Sequence, residues 1–85
     1  MSAVDNIYEL SLYSNDKPKN ITKQDYGSLV NCIALRATIS YIGDIKGNSV
    51  KLGVESASSG WTASSLQTAL NSYPPLSKYT IQVKD

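Results

Sequence analysis

A small α+β domain, with its elements in the order strand, helix, strand, strand, helix, strand, is predicted by three features of this sequence. Two stretches repeat apolar residues at three- and four-residue spacing behind a threonine suited to capping a helix. Others alternate apolar and polar side chains with the two-residue period of a strand. A Gly47-Asn48 pair lies between two of those alternating stretches, where a tight hairpin turn belongs. In 85 residues, room for one domain with one core, this order matches the βαββαβ ferredoxin-like sandwich, in which two helices cover one face of a four-stranded sheet. The competing arrangement is a β-rich sandwich with one packed helix, residues 33–45 then forming a single long strand.

The first strand is read over residues 7–13, with Tyr8, Leu10 and Leu12 on one side and Glu9 and Ser11 on the other. Residues 14–20 gather turn formers and Pro18, which cannot donate in a ladder, so the chain is expected to leave the sheet there. Thr22 then caps a helix, with Asp25 three residues on and Ile21 and Tyr26 placed to form a hydrophobic staple. Its apolar stripe is Tyr26, Leu29, Val30, Ile33 and Ala37, and its end is expected near Leu35 or Arg36. A two-residue turn at Gly47-Asn48 sets Ile45 opposite Val50, Gly43 opposite Leu52 and Tyr41 opposite Val54, all on one face. After the small residues 56–60, Thr62 caps a second helix, with Trp61 stapled to Leu66 and a stripe of Leu66, Ala69, Leu70 and Tyr73. Pro74-Pro75 stops it, and residues 78–84 alternate as a last strand with Tyr79, Ile81 and Val83 inward. Tyr26, Tyr41, Tyr73 and Tyr79 are all expected to line the core.

The composition excludes several function classes. Eight Lys+Arg against seven Asp+Glu leave a formal charge of +1, so no net field gathers nucleic acid, anionic lipid or an acidic substrate. Lys17, Lys19 and Lys23 alone come close together, as a solvated loop. Histidine is absent, which removes the commonest general base and metal ligand, and one cysteine can build neither a zinc cluster nor an internal disulfide. The seven carboxylates are dispersed without calcium-loop spacing. Gly43-Asp44-Ile45-Lys46-Gly47 lacks phosphate-loop spacing and falls in the hairpin. Cys32 sits inside the first helix, whereas activating a thiol needs a cationic neighbour or a helix N-terminus, so it is expected to be structurally buried or an inert exposed thiol. No catalytic residue, cofactor site or metal site is expected. The N-terminus lacks the pattern of a secretion signal, and no run reaches the ~20 apolar residues that cross a bilayer. No membrane association is therefore expected.

With chemistry missing, surfaces that make contacts become the candidates. Tyr13 on the first strand, Lys51 on the third and Gln82 on the last project from the solvent side of the sheet, and Trp61 belongs to the residue type most enriched in interface anchors. RNA recognition modules of the same architecture stack bases on aromatics of the two central strands. The third strand here offers Ser49, Lys51, Gly53 and Glu55 outward and no aromatic, which disfavours nucleic acid.

The run Trp61-Thr62-Ala63-Ser64-Ser65-Leu66-Gln67-Thr68-Ala69-Leu70-Asn71-Ser72, followed by Tyr79-Thr80-Ile81-Gln82-Val83, resembles a capped-helix and strand module of tailed-bacteriophage structural proteins. The likeness covers about the last third of the chain, and Pro74-Pro75 stands where that module is glycine-rich. It implies a minor virion component such as a decoration, cement or tail-accessory protein, found in the virion or the host cytoplasm. Its partners would be a larger protein or further copies of itself, as a homo-oligomer or part of an assembly. The alternative function is a single-stranded nucleic-acid-binding or regulatory adaptor domain.

Overall fold

The computed structural model describes residues 6–55 and 62–84. It is an α+β sandwich: β1 (Asn6–Ser14), a short β2 (Lys17–Pro18), α1 (Lys23–Ala34), β3 (Ile39–Ile42), β4 (Ser49–Val54), α2 (Ala63–Asn71), a 3₁₀ turn (Pro74–Leu76) and β5 (Thr80–Lys84). All strand pairs are antiparallel, and the sheet runs β5-β1-β4-β3, the order of the split βαβ arrangement.

β1 is central because it is apolar at every second position and long enough to pair on both edges. Residues Asn6 to Ser11 pair with β4, and Glu9 to Tyr13 pair with β5. Its inward residues Tyr8, Leu10 and Leu12 stand in rows with Leu52, Val50 and, across the other edge, Val83 and Ile81. The helices close over this face with Leu29, Cys32 and Ile33 from α1 and Leu66 and Leu70 from α2, and Leu76 of the 3₁₀ turn is fully buried with them. Each such leucine removed from water contributes about 1.5–3 kcal/mol.

Both helix starts are formed as their sequences dictate. Thr22 accepts a hydrogen bond from the Asp25 N–H at 3.1 Å, and Thr62 accepts one from the Ser65 N–H at 3.1 Å. The first helix ends at Ala34 with Leu35 as its cap, and the long-strand alternative for residues 33–45 does not occur. The staple between Trp61 and Leu66 involves a residue outside those described.

Two expectations are corrected. Residues 14–20 do not simply leave the sheet: Asn15 and Asp16 take φ of 52° and 63°, and the resulting tight turn folds Lys17 and Pro18 back opposite Ser14 and Tyr13. Asparagine and aspartate tolerate that left-handed backbone. Beyond Pro18 the Lys19 N–H still donates to the Leu12 carbonyl at 3.0 Å, but the Leu12 N–H donates to the Asn48 carbonyl at 2.8 Å, so the β2 ladder goes no further. The β3–β4 hairpin begins as expected, with Lys46 opposite Ser49 around Gly47 at φ +61°. Its register then slips: Ile42 pairs with Leu52, Tyr41 with Gly53 and, past a bulge at Ser40, Ile39 with Val54. Because side chains alternate, the slip turns Tyr41 from the core to the solvent face, where it is 47% exposed. Tyr26, Tyr73 and Tyr79 do pack against the core.

The free edge of β5 is occupied by α2. Asn71 accepts from the Ile81 N–H at 2.9 Å through Oδ1 and donates to the Ile81 carbonyl at 3.0 Å through Nδ2, while Gln67 Oε1 accepts from the Val83 N–H at 3.0 Å. The Ile81 N–H and carbonyl and the Val83 N–H, outward groups of an edge strand, are thereby satisfied without another strand. Asn71→Ala is expected to cost about 1 kcal/mol in urea denaturation, and Leu70→Ala about 2–5 kcal/mol. Equal losses for the two would show that the amide does more than cap the edge.

Candidate functional site

One face of the sheet is covered by the helices, and among the described residues no element packs on the other. The even-numbered positions of β1 face inward, so Ile7, Glu9, Ser11 and Tyr13 face outward, each within a row set by the strand register. The rows are Ile7, Gly53 and Tyr41; then Lys84, Glu9 and Lys51; then Gln82, Ser11 and Ser49; then Thr80, Tyr13 and Pro18. An apolar corner, a central row of mixed charge and a hydroxyl-rich strip thus share one surface.

The apolar corner is built on Gly53. A Cβ at this position would stand 2.6 Å from Ile7 Cδ1 and 3.1 Å from Tyr41 Cβ, so both side chains lean over the glycine and bury its backbone. Ile7 remains 42% exposed and Tyr41 47%, a pair of large side chains displayed together. Gly43 completes the packing, with its ideal Cβ position 3.3 Å from the Tyr41 hydroxyl and 3.1 Å from the Lys51 carbonyl.

Beside this corner lies a shallow hollow of about 190 Å³ between the sheet face and the hairpin. Glu9 and Asp44 supply carboxylates to its wall, Lys46 and Lys51 supply ammonium groups, and Tyr41 supplies a ring. Groups of both signs around an aromatic wall can hold a polar peptide segment by complementary charge and hydrogen bonds. No nucleophile with an adjacent base is among them.

The structure brings Tyr13, Lys51 and Gln82 to this one face, Lys51 and Gln82 exposed and Tyr13 half-buried. Trp61 lies outside the described residues. Ile7 and Tyr41 are the contributors that sequence reading missed. The available signal was Gly53, since a glycine inside an apolar strand marks a close approach by something else.

The remaining titratable groups of interest are structural. Asp25, 7% exposed at the start of α1, accepts a hydrogen bond from the Tyr79 hydroxyl at 3.2 Å, and Lys78 lies 5.2 Å over the Tyr79 ring. This ties the N-terminus of α1 to the approach to β5 and leaves Asp25 far in role from a cleft residue. The Cys32 thiol is fully buried, points at the Ala69 carbonyl 3.8 Å away, and has the Arg36 guanidinium 3.7 Å from its sulfur. Burial pushes its pKa above the ordinary thiol range, only partly opposed by the Arg36 charge. Among the described residues no three His, Cys, Asp or Glu gather as a metal site, and no helix is long and apolar enough to cross a membrane. No family model, curated protein or solved structure matches this chain.

Gly53→Val is expected to destabilise the fold by about 1–3 kcal/mol, and Ile7→Ala in the same chain should recover part of that loss by removing the clashing methyl. Additive losses in a double-mutant cycle would show that Ile7 does not sit on the glycine. A thiol that ionises with more difficulty when folded binds its proton more tightly in the native state. Its stabilisation is therefore complete below the unfolded thiol pKa of about 8.5 and is lost as pH rises through the higher folded value. Denaturation measured from neutral to alkaline pH should show this decline in the parent chain and a smaller one in Cys32→Ser.

Proposed function

We propose that this chain is a non-enzymatic assembly module that meets a larger protein through the open face of its sheet. The observation that carries the reading is the uncovered face itself. Ile7 and Tyr41 are presented at one corner, Lys51, Glu9 and Lys84 run across the centre, and Gln82 and Tyr13 lie beyond them. Large half-exposed side chains beside alternating charges form the anatomy of a contact surface, with an apolar anchor and a polar surround. The near-neutral charge suits a protein surface better than a polyanion, and Glu9 at the centre of the face offsets the lysines on either side.

The resemblance of residues 61–83 to a module of tailed-bacteriophage structural proteins supports placing this role in a virion, as a decoration, cement or tail-accessory component. The partner would be a repeated shell or tail protein, whose many copies make even a modest contact area effective through avidity. Nucleic-acid binding is the competing reading, because Tyr13 and Tyr41 share the face with Lys51 and Lys84.

Mass spectrometry of particles purified from the source is expected to find this chain in a fixed ratio to a major structural protein, and Lys51→Glu with Tyr41→Ser should lower that ratio. A titration with short single strands at increasing salt is expected to show no binding. Tight, salt-sensitive binding of oligonucleotides by a chain missing from every particle would overturn the proposal.

A further inference from the structure

The two edges of the sheet are finished differently. On β5 the outward N–H and carbonyl of Ile81 and the N–H of Val83 are engaged by Asn71 and Gln67. On β3 the N–H of Gly43 donates to the Lys51 carbonyl at 2.8 Å, and the Thr38 carbonyl accepts from the Glu55 N–H at 2.9 Å. These residues turn their backbone toward β4. Ile42 and Ile39, opposite Leu52 and Val54, therefore turn theirs outward. Among the described residues no side chain hydrogen-bonds to the backbone of either.

The composition of β3 does nothing to guard this edge. Ile39-Ser40-Tyr41-Ile42 contains no charge and no proline, the residues that commonly blunt an exposed strand, and Tyr41 and Ile42 are 47% and 50% exposed on its two sides. The bulge at Ser40 limits the paired stretch to the short run between Ile39 and Ile42.

We propose that β3 is a self-association edge: two copies of this chain pair β3 to β3, antiparallel about a two-fold axis, and continue one sheet through a closed dimer. Three features select a second copy as the occupant. An antiparallel edge strand is its own complement under a two-fold axis, which sets the outward groups of Ile39 and Ile42 of one copy against the same strand of the other. The strand is uncharged and the whole chain carries a formal +1, so like charges are not opposed along the seam. The side chains on β5 obstruct pairing of β3 onto the far edge of the next copy, the arrangement that would run on as an open fibre. A four-residue seam is a small interface, so the dimer is a weak one that fills as concentration rises.

This edge is distinct from the open face, and the two can be tested apart. Sedimentation equilibrium of the full chain from about 1 µM to about 1 mM is expected to show the average mass rising from one chain toward two and no further. Ile42→Lys should raise the dissociation constant at least about tenfold by placing like charges across the seam. Lys51→Glu, on the face, should leave it within about twofold. In the unaltered chain, amide exchange at Ile39 and Ile42 should slow as concentration rises. A mass of one chain throughout, a mass climbing beyond two, or exchange at Ile39 and Ile42 that ignores concentration would each overturn the proposal. The exchange result decides alone if Ile42→Lys fails to fold.

Discussion

Strand β1 is the interaction on which everything else rests. It is hydrogen-bonded along both edges, to β4 over its first half and to β5 over its second, and its inward residues Tyr8, Leu10 and Leu12 are buried under the helices. A strand in that position must be apolar at every second residue and free of proline, and the segment satisfies both. The two crossovers then have only one face to cover, since the same alternation turns Ile7, Glu9, Ser11 and Tyr13 toward water. The existence of an open face is thus a consequence of how the core is made.

The two ends of the sheet show two physical solutions to one problem. An edge strand leaves every second N–H and C=O without a ladder partner. At β5 the helix that follows β4 in sequence lies close enough for Asn71 and Gln67 to fill those positions, so α2 both buries Leu66 and Leu70 and closes the edge. At β3 no helix does the same among the described residues. The two edges therefore differ: α2 side chains bond to β5, and among the described residues no side chain bonds to the backbone of Ile39 or Ile42 in β3.

The open face owes its shape to two glycines. Gly53 lets Ile7 and Tyr41 settle over the strand, and Gly43 lets the Tyr41 hydroxyl and the Lys51 backbone approach. Without those side-chain vacancies the outward tyrosine would stand clear of the sheet. It instead lies as a wall beside the hollow that Glu9, Asp44, Lys46 and Lys51 surround. Binding surfaces gain from side chains already held in place, because less rotamer freedom is lost on contact.

Local patterns carried most of the fold. Thr22 and Thr62 announced their helices, the alternation of residues 7–13 and 78–84 announced two strands, and Gly47-Asn48 announced the hairpin turn, because each signal depends only on near neighbours in the chain. Lys51, Gln82 and Tyr13 could be assigned to the solvent side for the same reason. The pairing register of β3 could not, since one extra residue between Lys46 and Ile42 reverses the facing of Tyr41 at no cost visible in the local pattern, and a second at Ser40 then brings Ile39 opposite Val54. The clasp of Asn71 and Gln67 on β5 and the leaning of Ile7 and Tyr41 on Gly53 likewise join residues distant in sequence. Both helices and the main strands were legible from local pattern, whereas the short β2, the hydrogen bonds that α2 makes to the β5 edge and the side chains that meet on the outward face were set by how the segments align against one another.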